Sequence, residues 1–181
     1  MYCFTYMKII KTLAFCMLFV FVGSCSYSDE FHTIQEPGHF SIEFPEYIDK
    51  LDGLSNTTPY QYGNLFRNFY IIIEEAPLAK FPSVEAYAQT SVNELLNAGT
   101  LSSPDTLEIK QLKDFNGLSG RHLILTADVG EGELFKPILY HLLHLKSEDR
   151  YYHLVLWTWA EWEEKYEATI PRILKSFKGS I

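Results

Sequence analysis

Apolar and polar residues alternate at Phe40, Ile42 and Phe44 against Ser41 and Glu43, the period of a half-buried strand, and Pro45 ends the run. Residues 58–63 (TTPYQY) and 66–74 (FRNFYIIIE) predict two more strands, with a turn at Gly63-Asn64. The period then changes. Ser83 is a good helix N-cap, Glu85 falls in the first turn, and Val84, Ala88, Val92, Leu95 and Leu96 recur at helical spacing until Gly99. Leu107 and Ile109 open another strand, and Asn116-Gly117 predicts a tight hairpin into Arg121–Asp128. Gly130-Glu131-Gly132 turns the chain again. Leu134–Lys146 and Tyr151–Trp159 read as long strands joined across Ser147-Glu148-Asp149. A closing helical stripe runs through Trp162, Tyr166, Ile170, Ile173, Leu174 and Phe177, with Pro171 predicting a kink or break near Thr169.

The strand Tyr151–Trp159 is apolar on both faces: Tyr152, Leu154 and Leu156 on one, Tyr151, Val155, Trp157 and Trp159 on the other. Sheets with one wet face alternate more cleanly, so both faces should be covered. The order of strands, helix, strands and helix predicts an α+β fold, an antiparallel sheet flanked by helices on its faces.

The N-terminus has a different pattern. Lys8 and Lys11 precede the apolar stretch Thr12–Val22, and the small residues Gly23-Ser24 lead into Cys25. This is the layout of a secretory signal, with Met7 the natural start. Eleven helical residues rise only about 16 Å, roughly half a hydrocarbon core, so the stretch is too short for a permanent span. Val22-Gly23-Ser24-Cys25 resembles the bacterial lipobox, which implies that Cys25 becomes a lipid-bearing N-terminus. Cys3, Cys16 and Cys25 are the only cysteines, so no disulfide or cysteine metal site is available after residue 25. The expected organisation is a leader over 1–24, a lipidated Cys25 with a polar tether over 25–37 closing at Pro37-Gly38, and one domain over 38–181. The expected location is the bacterial cell envelope, at the outer membrane, with the domain periplasmic or surface-facing. Asp29-Glu30 just after Cys25 resembles a lipoprotein surface-export signal; a solvated tether is the alternative.

Charge narrows the partners. The chain is 47% apolar and 15% aromatic, with a net charge of −8; all its acidic residues follow Cys25, whereas Lys8 and Lys11 precede it. So acidic a domain repels phosphate backbones, and no nucleic acid is expected.

The ordered features FSIEFP at 40–45, the middle helix, the Asn-Gly hairpin, the aromatic strand and the closing YEATIPRILKSFK resemble the PsbP-like family over about residues 38–178. Tyr166, Ile170, Ile173, Leu174, Ser176 and Phe177 match its closing helix. The resemblance implies an α/β/α sandwich. It also implies a binding or assembly role, with no catalytic residue to transfer.

Candidate chemistry is sparse. His141 and His144, three apart on a strand, point to opposite faces, and His153 sits across the hairpin from one of them. Two histidines without a carboxylate in the pattern make a weak zinc site, so no metal or cofactor is expected. Glu161, Glu163, Glu164 and Glu167 suit the start of the last helix, with Arg172, Lys175 and Lys178 at its other end. Asp128, Glu131 and Glu133 surround a glycine turn but match no calcium loop. No Gly-x-Ser-x-Gly or phosphate-binding glycine loop occurs, and no enzyme is expected. Tyr151, His153, Trp157 and Trp159 are the candidate binding residues: either core, or the lining of a groove. Two functions remain open. One is a membrane-tethered module binding an envelope protein; the other is a carrier of a small amphiphile held between sheet and helix.

Overall fold

The computed structural model describes residues 30–97, 101–129 and 136–180. Seven strands make the main sheet, in the order β3-β4-β5-β9-β8-β7-β6: β3 (Asp49–Lys50), β4 (Gln61–Asn64), β5 (Phe69–Pro77), β6 (Leu101–Phe115), β7 (Leu118–Val129), β8 (Lys136–Lys146) and β9 (Arg150–Trp159). Every pairing in it is antiparallel. A second sheet joins β1 (Phe31–Glu36), β2 (Phe40–Pro45) and β10 (Lys178–Gly179) in the order β1-β2-β10. The helices are α1 (Val84–Asn97), α2 (Glu163–Tyr166) and α3 (Thr169–Ser176).

Both faces of the main sheet are covered, as the two-sided apolarity of β9 requires. On one face Leu154, Leu156 and Tyr152 join Ile71, Ile73, Leu143 and Leu145 beneath Phe40, Ile42 and Phe44 of β2 and Ile170, Ile173 and Leu174 of α3. On the other, Val155 packs with Ile72, Leu142 and Leu125 beneath Val92 and Leu95 of α1. The expected helix on each face is present, and on the first it shares the work with the small sheet.

Local chemistry sets the ends of these elements. Ser83 caps α1, its Oγ accepting from the Ala86 amide at 3.2 Å. Asn116 (φ 55°) and Gly117 (φ 81°) both occupy the left-handed region, as the tight β6–β7 hairpin requires. The Asn116 amide also donates to the carbonyls of Lys175 (2.8 Å) and Phe177 (2.7 Å), fastening the end of α3 to the hairpin tip. Gly120 on β7 lies so close to β8 that a Cβ there would meet the His144 carbonyl oxygen at 1.9 Å.

Three expectations need correction. Residues 31–36 are not tether but strand β1, paired residue for residue with β2 around the Pro37-Gly38 turn, so the folded domain begins at Phe31. The reversal expected at Gly63-Asn64 lies further on, in a 3-10 turn over Leu65–Arg67, and Phe66 is at its tip rather than in a strand. The closing helix breaks before Thr169, as Pro171 predicts. Glu163 and Glu164 therefore open the short α2, Glu161 and Glu167 flank it, and no acidic residue lies in the first turn of α3. Gly99 and the turn at 130–132, with Glu131 and Glu133, fall outside the described residues, as do the leader and Cys25.

Candidate functional site

The antiparallel register places Tyr151, His153, Val155, Trp157 and Trp159 on one face of β9, opposite Lys146, His144, Leu142, Tyr140 and Ile138 of β8. The four candidate residues thus share a surface, the one under α1, but they divide into two groups.

The first group is closed. His153 pairs directly with His144, and their rings stack with centroids 4.3 Å apart and planes 12° from parallel. Tyr87 of α1 stands edge-on to both, at 5.9 Å and 6.1 Å. Tyr151 packs against Tyr87 and Phe81. His144 is fully buried, and among the described residues neither of its ring nitrogens has a hydrogen-bond partner. Burial first, then the neighbouring His153 and Arg121, holds its pKa well below the usual imidazole range. His153 Nδ1 lies 3.5 Å from Glu74 Oε2, an electrostatic contact longer than a well-formed hydrogen bond. Glu74 is held below the usual carboxylate range, chiefly by His153 and also by the hydroxyl of Thr57, which donates to it. One carboxylate faces one of two stacked rings. Among the described residues, no three potential ligands converge to hold a metal.

The second group is open at its edge. Trp157 lies between Tyr70 (5.2 Å, 25°) and Tyr140 (6.3 Å, 27°), a three-ring stack across β5, β9 and β8. Tyr70 and Trp157 are half-buried, while Tyr140 is buried and its hydroxyl pushed up to about 12 by desolvation. Trp159 lies beneath the Lys136 ammonium at 5.2 Å, beside a recess of about 90 Å³ lined by Lys136, Pro137, Trp159 and Glu161. Such flat, half-exposed rings can stack on a planar or aliphatic ligand group, whereas the closed group supports the fold.

A further pair escaped the sequence pattern. His122 and His141, on the opposite face, stack at 5.2 Å, with Nε2 of the first 3.1 Å from Nδ1 of the second. Desolvation above all lowers His122 to about 4 and His141 to about 3, so both are neutral near pH 7. Finding that pair needs the β7–β8 register, which sequence spacing does not supply.

The architecture is the fold of PsbP and Mog1. Solved structures bear this out at low identity. The Ran-binding protein Mog1p of Saccharomyces cerevisiae superposes with a TM-score of 0.57 at 10% identity, over 83% of this chain and 96% of that one. The cyanobacterial PsbP of Synechocystis gives 0.57 at 12% identity, over 87% and 98%. LpqN of Mycobacterium tuberculosis, described as involved in cell envelope biogenesis, gives 0.50 at 12%, over 84% and 91%. No family model and no curated protein matches the sequence.

Proposed function

We propose that the protein is a lipid-anchored, non-catalytic binding or assembly module of the bacterial cell envelope. The observation that carries the reading is the N-terminal pattern: two lysines, an apolar stretch and Gly23-Ser24-Cys25, with a folded domain starting only six residues later at Phe31. The fold likeness to LpqN lends support, since that protein is described in connection with cell envelope biogenesis. No helix among the described residues is long and apolar enough to cross a membrane, which fits attachment through Cys25. The ionisable groups of the closed histidine cluster are locked into the core, and the accessible part of the site is aromatic and suited to contact rather than to proton transfer. Tagged protein crosslinked mildly in its native membranes should recover a defined envelope partner. Repeated recovery of the bait alone refutes the module.

The Tyr70–Trp157–Tyr140 stack, half-buried at Tyr70 and Trp157, favours a second reading, a carrier of a small amphiphile. Native mass spectrometry of protein from its host decides between them. A co-purifying small molecule, lost in Trp157→Ala, supports the carrier.

A further inference from the structure

Exposed apolar side chains occur singly on most proteins and need no explanation. Leu65 and Phe66 are different. Phe66 is 95% exposed and Leu65 63%, side by side at the tip of the β4–β5 connection. The backbone that presents them is built rather than slack. Asn64 Oδ1 accepts from the Arg67 amide at 2.9 Å, and its amide group donates to the Tyr47 carbonyl at 2.7 Å. The Tyr166 hydroxyl donates to the Arg67 carbonyl at 2.9 Å, and the Arg67 guanidinium lies 3.8 Å over the Tyr47 ring. Asn68 closes the turn in the left-handed region, at φ 41°. Holding two large apolar groups in water on a fixed support has a cost that a partner must offset.

The register shows where that tip lies. Phe31, the first residue of β1, is opposite Pro45, and two residues beyond Pro45 is Tyr47, which carries Arg67. That path places Phe31 and the tip at the same end of the domain. Between Cys25 and Phe31 stand only five residues, a reach of about 20 Å when extended. A lipid on Cys25 would keep Phe31 within about 20 Å of the membrane, which favours this end of the domain over the opposite one as the end that meets it. The same end carries rings under cations: Phe31 beneath Arg172 (3.6 Å), Trp162 beneath Lys165 (4.2 Å) and Trp159 beneath Lys136 (5.2 Å). Aromatic rings and long cationic side chains together suit the headgroup layer. Against them stand the exposed carboxylates Glu46, Asp49, Glu161, Glu163, Glu164 and Glu167, which repel anionic lipid. Apolar contact with a zwitterionic surface satisfies both sets.

We propose that Leu65 and Phe66 form a lipid-contact wedge that inserts into the zwitterionic interface of the anchoring membrane and fixes the orientation of the domain. The proposal rests on lipidation at Cys25. A chain lipidated at Cys25 has no free thiol after the leader, so a cysteine introduced by Leu65→Cys can carry a small polarity-sensitive fluorophore, with Lys113→Cys at the far end as reference. On phosphatidylcholine vesicles, label at position 65 should shift to the blue and be quenched by iodide several-fold less than label at 113. Adding Phe66→Ser should abolish that protection while leaving the melting temperature unchanged, and phosphatidylglycerol in the vesicles should weaken it. Equal quenching at both positions in protein that floats with the vesicles and has the acyl mass overturns the wedge alone. So does protection indifferent to Phe66→Ser, or protection seen on native membranes but not on pure lipid, which assigns the tip to a protein partner. Protein lacking the acyl mass and remaining in the aqueous phase overturns the anchor, and the wedge with it.

Discussion

Acidifying the purified domain from about pH 7.5 to about pH 5 should remove much of its stability, through histidines that the fold keeps neutral. His144 is buried with no hydrogen-bond partner, and His122 and His141 are held near 4 and 3 by desolvation. In the unfolded chain each reverts to the ordinary imidazole value of about 6.5. Below that value the unfolded state binds a proton that the folded state does not, so unfolding is favoured as pH falls. Stability from this source is fully present above pH 6.5. It declines by about 1.4 kcal/mol per pH unit per histidine, and levels off only below the folded pKa. At about pH 5 His122 and His141 each contribute a loss of about 2 kcal/mol, together about 4 kcal/mol, and His144 adds to the loss in the same direction. The whole stability of a domain this size is about 5–15 kcal/mol. Glu74, already below the usual carboxylate range, stays ionised across this window and adds nothing to the change. Urea unfolding followed by tryptophan fluorescence at several pH values measures the effect. His144→Leu, which removes one of the three titrations, should lessen the fall. Stability that is flat between the two pH values, or a variant with the wild-type slope, refutes the assignment of neutral buried histidines.

Leu156→Ala should cost about 2–5 kcal/mol in a denaturant midpoint, because Leu156 is fully buried between sheet and small sheet. Trp157→Ala, at a half-buried ring, should cost less; equal losses would contradict the open edge of the aromatic stack. Gly120→Ala drives a Cβ into the His144 carbonyl and should lower the melting temperature sharply or prevent folding, whereas a thermal midpoint near wild type would show that β7 and β8 separate there at little cost. Cys25→Ser should release the protein from membranes in detergent partitioning; a form starting at Ser26 that stays bound would show an affinity independent of the anchor.

Where burial follows directly from pattern, the sequence could be read. Alternation over 40–44, helical spacing from Val84 and the Asn116-Gly117 turn each fix a local geometry, and Tyr151–Trp159 announces its two covered faces. The sharing of one face by Tyr151, His153, Trp157 and Trp159 follows from a period of two. Three features were not legible because they depend on long-range register. β1 is polar enough to pass for tether, and its strand character comes from pairing with β2. Asn64 reads as a turn residue, yet it caps a turn that begins after it, and this moves Phe66 from strand to tip. His122 and His141 meet only because β7 and β8 pair in one particular register.

The place of β1 at the rim of the small sheet bears on how the domain would answer a pull on a lipid at Cys25. Among the described residues β1 pairs with β2 alone, and a load on Cys25 would arrive at its first residue, Phe31. With one partner strand against two for β2, β1 is the strand of the small sheet with fewer pairings to lose. Peeling the six residues of β1 would lengthen the leash by about 20 Å, while β2 keeps β10 and the packing of α3 on its inner face. A lipid on Cys25, as proposed, would thus pull first on a rim strand whose release leaves the seven-stranded sheet fully paired.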